Sequence, residues 1–318
     1  MLIAVYCAGR LLNSTVICKN IMDYKIPEFL YKYTSCSTAK LILRNKTIRW
    51  NSPLNFNDIF ELNHSLGMDF EETKAVNIIA QKLAAVIYDD EIQLYDTGKK
   101  NPKLDYMRRN LRKDSYPIEQ LVETIKLVAR EFIPTVKNII ESERIRWRKD
   151  IENYRILCFS EFNDSDLMWK RYSDQHSGVV LQWKPIATID STLLVARPVV
   201  YSDDIPEVAT FEYFTEVAVG LKPMVSTDDL SALTTIKATS WSDENEWRIV
   251  STNRIYDSGD HEDVPFSAQE INSVYLGCQI DNKDKKVILK YIDENFSHVN
   301  VYQAYIDEDT RVITFKNI

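Results

Sequence analysis

The chain is poor in glycine. Its 318 residues include seven, at positions 9, 67, 98, 178, 220, 259 and 277, and no two are closer than 18 positions. Loops that cradle a phosphate on bare backbone need several glycines within a few residues. Only a residue without a Cβ lets neighbouring N–H groups approach an anion or take φ > 0 freely. The spacing therefore excludes a dinucleotide fingerprint, a P-loop, a kinase loop and a nucleophile elbow. A nucleotide, if bound, must be held by side chains. Gly178 follows His176 at a turn into a strand and is expected to serve backbone geometry rather than an anion.

The length admits one large domain or two ordinary ones. Hydrophobic residues make up 45% and charged residues 27%, the balance of a soluble globular protein. No apolar stretch approaches the roughly 18 residues of a membrane span, so no membrane contact is expected. The start, Met1 to Ala8, is apolar but lacks a basic flank and is broken at Arg10. It reads as part of an N-terminal extension over 1–27, not as a signal peptide. Five scattered cysteines (Cys7, Cys18, Cys36, Cys158, Cys278) without C-x-x-C spacing predict a reducing, cytoplasmic setting and no disulfide framework. The four histidines are far apart and no H-E-x-x-H occurs, so no metal site is expected.

The net charge of -8 is unevenly spread. Lys99 to Arg155 holds 15 Lys and Arg against 9 Asp and Glu, whereas Ser202 to Asn272 holds 4 against 15. The basic segment either forms solvated helix faces or meets a polyanion such as nucleic acid.

Periodicity divides the chain into mixed and helical parts. Phe29 to Tyr33 and Thr47 to Trp50 read as short strands, with Ser37 or Thr38 capping a helix between them. About 71–151 is helical in pattern, with Ala75, Ile78, Ile79, Leu83 and Val86 near helical spacing and Pro134 breaking a later run. Strands are expected again at Arg155–Ser160, Gly178–Trp183, Leu193–Tyr201, Trp247–Val250 and Ser273–Gly277. Helices are expected near 205–219, 227–237 and Lys285–Phe296, and closing strands near 299–305 and 311–316. The fold class read from this is α+β: one domain over 28–318 with a mixed, mainly antiparallel sheet and an all-helical insertion at about 71–151.

Four segments concentrate chemistry. Leu30 to Ser35 places Tyr31 and Tyr33 beside small hydroxyls, suited to stacking a ring or packing a half-buried strand. Trp50 to Glu61 is dense in polar side chains, including Ser52, Asn55, Asn57 and Asp58; it can bind a polar ligand or hold a turn through Asx bonds. Cys158 to Gly178 gathers Ser160, Trp169, Tyr172 and His176. Cys158 lies between Leu157 and Phe159, which favours core packing over a Cys/His nucleophile, and His176 reads as an acid/base or a turn residue. In Trp241 to Val250, Glu244 and Glu246 are two apart. If both are extended they share one strand face, and their repulsion needs a cation, a hydroxyl or Arg248 to offset it.

Taken together the segments resemble an uncharacterised bacterial family, domain of unknown function 2971. The likeness is carried by Leu30-Tyr31-Lys32-Tyr33, Asn51-Ser52-Pro53, Phe56-Asn57-Asp58, Phe60-Glu61, Cys158-Phe159-Ser160-Glu161, Leu167-Met168-Trp169 with Tyr172, His176-Ser177-Gly178 and Glu244-x-Glu246-Trp247-Arg248. The family usually has Pro where this chain has Ile59. The motif order also resembles the ADP-ribosyltransferase-like fold. That resemblance implies NAD as cofactor, Glu246 as catalytic residue with Glu244 and Tyr33 beside it, and Tyr31, Trp50, Ser52, Asn57, Ser160, Trp169, Tyr172 and His176 around the nucleotide. No Arg or His occupies the first-strand position, where Tyr31 and Tyr33 stand. It implies ADP-ribosyl transfer or NAD cleavage by an intracellular effector, of a toxin or phage-defence kind, acting on a protein or nucleic-acid acceptor. The alternative is a non-catalytic regulatory module that contacts nucleic acid or protein through the basic helices, Arg108, Arg109 and Arg112 among them. A metal-dependent nuclease using Asp58, Glu61 and Glu244 is a third reading, opposed by the lack of a compact carboxylate cluster.

Overall fold

The computed structural model describes residues 24–56, 62, 71–89, 110, 117–204, 206–251, 259–307, 309–310 and 312–318. In chain order its helices are α1 (Cys36–Asn45), α2 (Glu72–Tyr88), α3 (Ile118–Ala129), α4 (Ile133–Asn153), α5 (Asp166–Tyr172), α6 (Phe211–Ala218), α7 (Thr227–Ala232) and α8 (Asn282–Asn295). The strands are β1 (Leu30–Thr34), β2 (Thr47–Asn51), β3 (Arg155–Ser160), β4 (Val179–Trp183), β5 (Arg197–Pro198), β6 (Val200–Tyr201), β7 (Ile236–Lys237), β8 (Glu246–Ser251), β9 (His261–Pro265), β10 (Ile271–Leu276), β11 (Asn300–Ile306) and β12 (Ile313–Asn317). The protein is α+β with a mixed, mostly antiparallel sheet.

The chain divides into two compact units. The first, Met1–Glu61 with Glu152–Asp203 and Thr234–Ile318, carries the sheet; the second, Leu62–Ile151 with Asp204–Leu233, is helical. That Asp204–Leu233 groups with the helices is invisible in local periodicity, because the segment lies far from them in sequence.

In the sheet unit the strand order is β12-β11-β10-β4-β1-β3-β2-β9, with β8 paired to β3 and β5. Among the described residues only the β10–β11 pair is parallel in this sheet; β6 and β7 form a separate parallel pair. One face packs under α1 and α8, where Ile42, Leu43, Ile288 and Ile292 meet Leu30, Leu157, Phe159, Leu181 and Trp183. Apolar burial at positions 36, 39, 42 and 43 gives α1 its single buried stripe. Its cap is Ser35, whose hydroxyl accepts the Thr38 N–H, and not the Ser37 or Thr38 expected from sequence. The reverse face packs Tyr33, Val180 and Tyr275 against Met168 and Trp169 of α5.

The register of β3 creates the cleft. Along one edge β3 pairs with β8 through six consecutive residues, Arg155↔Ser251 to Ser160↔Glu246. Along the other edge it touches β1 at Tyr31↔Ser160 and β2 at Asn51↔Ile156. The two neighbours thus hold opposite ends of β3 and leave a fork between them. In that fork the Lys32 ammonium donates to the Cys158 carbonyl at 2.8 Å.

Two expected elements differ. The single strand foreseen over Leu193–Tyr201 is a 3-10 turn (Thr192–Val195) followed by β5 and β6. Pro198 has no N–H to continue a ladder, and the Val199 N–H bonds the Glu246 carbonyl instead. The break expected at Pro134 falls at the 3-10 turn Arg130–Phe132, leaving Pro134 in the first turn of α4, where its missing N–H costs nothing.

The helical unit buries the predicted stripe of α2: Ala75, Ile79, Leu83 and Val86 are inaccessible, and Ile78 is half-buried. Leu121, Ile125, Val136, Ile140 and Trp147 contribute from α3 and α4. The Trp147 indole donates to the Leu62 carbonyl, and Glu216 takes the ammonium groups of Lys82 and Lys222.

Candidate functional site

A cleft of about 280 Å³ opens at the β3 fork, on the face away from α1 and α8. Tyr31, Lys32 and Tyr33 of β1 line it, with Asn51, Asn55 and Phe56 at the end of β2, Cys158 and Ser160 of β3, and Tyr172 of α5. Its remaining wall is charged: Lys237, Glu244, Glu246 and Arg248, with Trp241 beside them.

These charges form one network. Lys237 Nζ lies 2.7 Å from Glu244 Oε2 and 3.0 Å from Glu246 Oε2. Arg248 grips Glu246 with two parallel bonds, Nε to Oε1 at 2.8 Å and Nη2 to Oε2 at 2.9 Å. Glu244 Oε1 accepts from the Arg171 guanidinium and from the Tyr172 hydroxyl, each at 2.8 Å. Lys237, Glu244, Glu246 and Arg248 are all buried, so this is a desolvated cluster held by pairing. Aromatic faces cover its cations: Arg171 and Lys237 lie over Trp241, and Arg248 over Phe56.

The local chain explains the convergence. Glu244 ends the 3-10 turn Thr239–Glu244, Asn245 turns left-handed at φ 42°, and Glu246 begins β8. Asn tolerates that conformation because its short amide bonds locally, here to the Asp243 carbonyl. This corrects the extended E-x-E expected from sequence: the carboxylates are not alternate residues of one strand, and they meet because the chain turns between them. Lys237 arrives from the short β6–β7 pair, whose Tyr201 hydroxyl accepts the Glu246 N–H.

Protonation follows from these partners. Burial pushes the Glu246 carboxyl up, but Arg248 and Lys237 outweigh it and hold the group at about 2, against an ordinary 4.5. A depressed carboxyl stabilises the fold in full above its unfolded value and loses that contribution as pH falls toward its folded one. We expect about 3 kcal/mol of stability to disappear between pH 4.5 and 2. Urea unfolding across that range tests this: the assignment fails if Glu246→Gln follows the wild-type acid profile. Tyr33 and Tyr172 are pushed far up, first by burial, and remain neutral donors, Tyr33 to the Phe162 carbonyl and Tyr172 to Glu244. The Cys158 thiol is likewise raised by burial, which leaves it a poor nucleophile.

Of the sequence-selected residues, Tyr31, Tyr33, Ser160, Tyr172, Glu244 and Glu246 line the cleft. Four others are placed elsewhere. Trp50 neighbours Asn51 on β2 and so points to the opposite face, into the α1/α8 core. Ser52 is buried as the cap of the 3-10 turn Pro53–Asn55, accepting the Leu54 N–H. Trp169 is fully buried in the reverse-face core and donates to the Asn163 carbonyl. His176 stacks on Trp169 and reaches Asp166 at 3.2 Å, away from the cleft. Asn57, Asp58, Glu61, Arg108, Arg109 and Arg112 lie outside the described residues, as does most of the 1–27 extension. Among the described residues no helix is long and apolar enough to cross a membrane, and no group of three acidic, His or Cys side chains could hold a metal ion.

Sequence reasoning passed over Lys237, Arg171 and Lys32 as site residues. A signal for Lys237 existed: it is one of four basic residues in the acidic segment 202–272, where each cation is a natural partner for several carboxylates.

A model of the family described as "Protein of unknown function (DUF2971)" matches residues 168–249. The match runs from α5 to β8 and contains Arg171, Tyr172, Lys237, Glu244, Glu246 and Arg248. No curated protein and no solved structure matches the chain.

Proposed function

We propose that the cleft binds NAD and cleaves its nicotinamide–ribose bond, passing ADP-ribose to water or to a macromolecular acceptor. The observation that carries this reading is the meeting of two buried carboxylates at one ammonium on the wall of an aromatic-lined cleft. Breaking the C–N bond leaves its electron pair on nicotinamide and positive charge on the ribose ring, which a nearby carboxylate stabilises until a nucleophile adds.

Glu244 is the better placed of the two for this role. Glu246 takes two bonds from Arg248, one from Lys237 and one from the Cys158 thiol, whereas Glu244 takes Arg171 and Tyr172 on Oε1 and Lys237 alone on Oε2, which leaves Oε2 an acceptor position for a ribose hydroxyl. Glu246 then serves to fix Lys237. Tyr31, Tyr33 and Phe56 offer ring faces for a base, and Asn51 and Asn55 offer amides. Lys32, Lys237 and Arg248 outnumber the two carboxylates of the lining, which suits a ligand bearing a pyrophosphate. The volume falls just short of the range of about 300–1,000 Å³ usual for ligand pockets, which suits the nicotinamide riboside half rather than the whole dinucleotide. An intracellular effector role in toxin or phage-defence systems is part of this proposal.

The test is nicotinamide release from NAD, followed by chromatography, with and without candidate acceptors. Glu244→Gln is expected to lower turnover about 100-fold or more while leaving NAD binding within a few-fold. Absence of both NAD binding and nicotinamide release in the wild type would overturn the proposal.

A further inference from the structure

A second cavity, of about 260 Å³, lies in the sheet unit on the face covered by α1 and α8. Its lining differs in kind from that of the cleft. Trp50, Trp183 and Phe266 supply aromatic surface, Leu193 aliphatic surface, and Glu270 and Asp190 negative charge; among the described residues no Lys, Arg or His lines it. Trp183 and Phe266 meet edge to face with centroids 4.7 Å apart.

Glu270 is buried at 6% exposure. One oxygen accepts from the Ser191 hydroxyl and the other from the Ser267 N–H at 2.9 Å, the latter closing a capping box on the 3-10 turn Ala268–Glu270. Both partners are neutral, and among the described residues no cation pairs with it. A buried carboxylate is ordinarily matched by a positive charge. Each Glu270 oxygen retains an acceptor position for one. Aromatic walls favour a cation further, through the negative faces of their rings.

We propose that this cavity binds a small organic ammonium ion, its charge directed to Glu270 and its apolar substituents packed on Trp50, Trp183 and Phe266. The site is separate from the nucleotide reading and does not depend on it. β2 connects the two: Asn51 lines the cleft while Trp50 lines the second cavity.

The probe is tetramethylammonium chloride, with tert-butanol as a neutral counterpart of similar size and sodium chloride holding ionic strength constant. Trp50 and Trp183 serve as fluorescence reporters. We expect saturable quenching by tetramethylammonium and an apparent affinity about tenfold weaker for tert-butanol. Glu270→Gln preserves the capping box, since Gln serves at that position, and is expected to weaken tetramethylammonium about tenfold. Equal affinity for the neutral molecule, no saturation by the cation, or undiminished affinity in folded Glu270→Gln would each overturn the proposal. If that variant does not fold, the comparison of the two ligands on the wild type decides alone.

Discussion

Replacing Lys237 with Met is expected to destabilise the sheet unit by about 3–5 kcal/mol at pH 7, the range for removing one partner from a buried ion pair. The Lys237 ammonium is what Glu244 and Glu246 share, at 2.7 and 3.0 Å, and both carboxylates are buried. Met fills the volume and packs under Trp241 as the Lys stem does, so the loss reports charge rather than a cavity. Arg171 still bonds Glu244 and Arg248 still grips Glu246, but the two negative charges then face each other without the cation between them.

The sign with pH separates this account from simple loss of packing. In the wild type Glu246 is held near 2, so the folded state keeps its charge well below pH 4.5. In the variant, repulsion and burial raise the carboxyl pair, and one member takes a proton on mild acidification. The stability gap between Lys237→Met and wild type should therefore narrow as pH falls from 7 to 3. Urea midpoints at several pH values measure it. A gap that is constant with pH would mean that Lys237 acts through its stem alone, and a gap below about 1 kcal/mol at pH 7 would mean that the cluster is already compensated elsewhere.

On the proposed reading, NAD turnover is a separate readout on the same residue. If Glu244 holds the ribose, its position depends on Lys237, and the folded fraction of Lys237→Met should show a larger fall in turnover than in binding. On that reading stability and turnover depend on the same ammonium for different reasons, so the two can disagree. Such a disagreement would place Lys237 in the fold and outside the chemistry.

Which parts of this were legible in the sequence follows from range. Strands and helices with their own periodicity could be read: Arg155–Ser160 is β3 to the residue, and the α2 stripe is buried where its spacing places it. The residues near Tyr31, Ser160 and Glu246 were visible because three motifs carried them, and strand pairing brings these together at Tyr31↔Ser160↔Glu246. Lys237 was marked only by its charge within an acidic segment, not by any local pattern. It stands in a two-residue strand whose partner, β6, is 36 residues earlier at each paired position, so its place in the cleft depends on a long-range pairing. The side of the sheet that Trp50 takes was not legible for a related reason. A five-residue strand fixes which residues alternate but not which face meets which layer, and only the packing of α1 and α8 decides that.

Gly277→Ala is expected to cost about 3 kcal/mol or more, at or beyond the upper end of ordinary overpacking. A Cβ built at Gly277 would stand 2.1 Å from the His176 carbonyl oxygen and 2.8 Å from that of Gly178. At Gly178 it would stand 2.3 Å from the Thr34 carbonyl oxygen. Here two glycines let three backbone segments cross in contact, and their hydrogen bonds record it: Gly277 N–H to Gly178 O at 2.9 Å, and Gln279 N–H to His176 O at 3.0 Å. The turn before the crossing is already committed, with Asp174, Gln175 and His176 all left-handed at φ 44°, 53° and 67°. Such residues cost about 1–2 kcal/mol each, so the turn has little freedom to yield. Gly259→Ala is the comparison. Its φ of +70° strains an Ala, but a Cβ there meets nothing within 4 Å, and the expected loss is about 1 kcal/mol. Equilibrium unfolding of the two variants distinguishes crowding from conformation. Equal losses would mean that the crossing at Gly277 relaxes and that its contacts do not fix the α5–β4 turn. A larger loss at Gly277 would show that crowding sets the cost where two of the seven glycines let backbone segments cross.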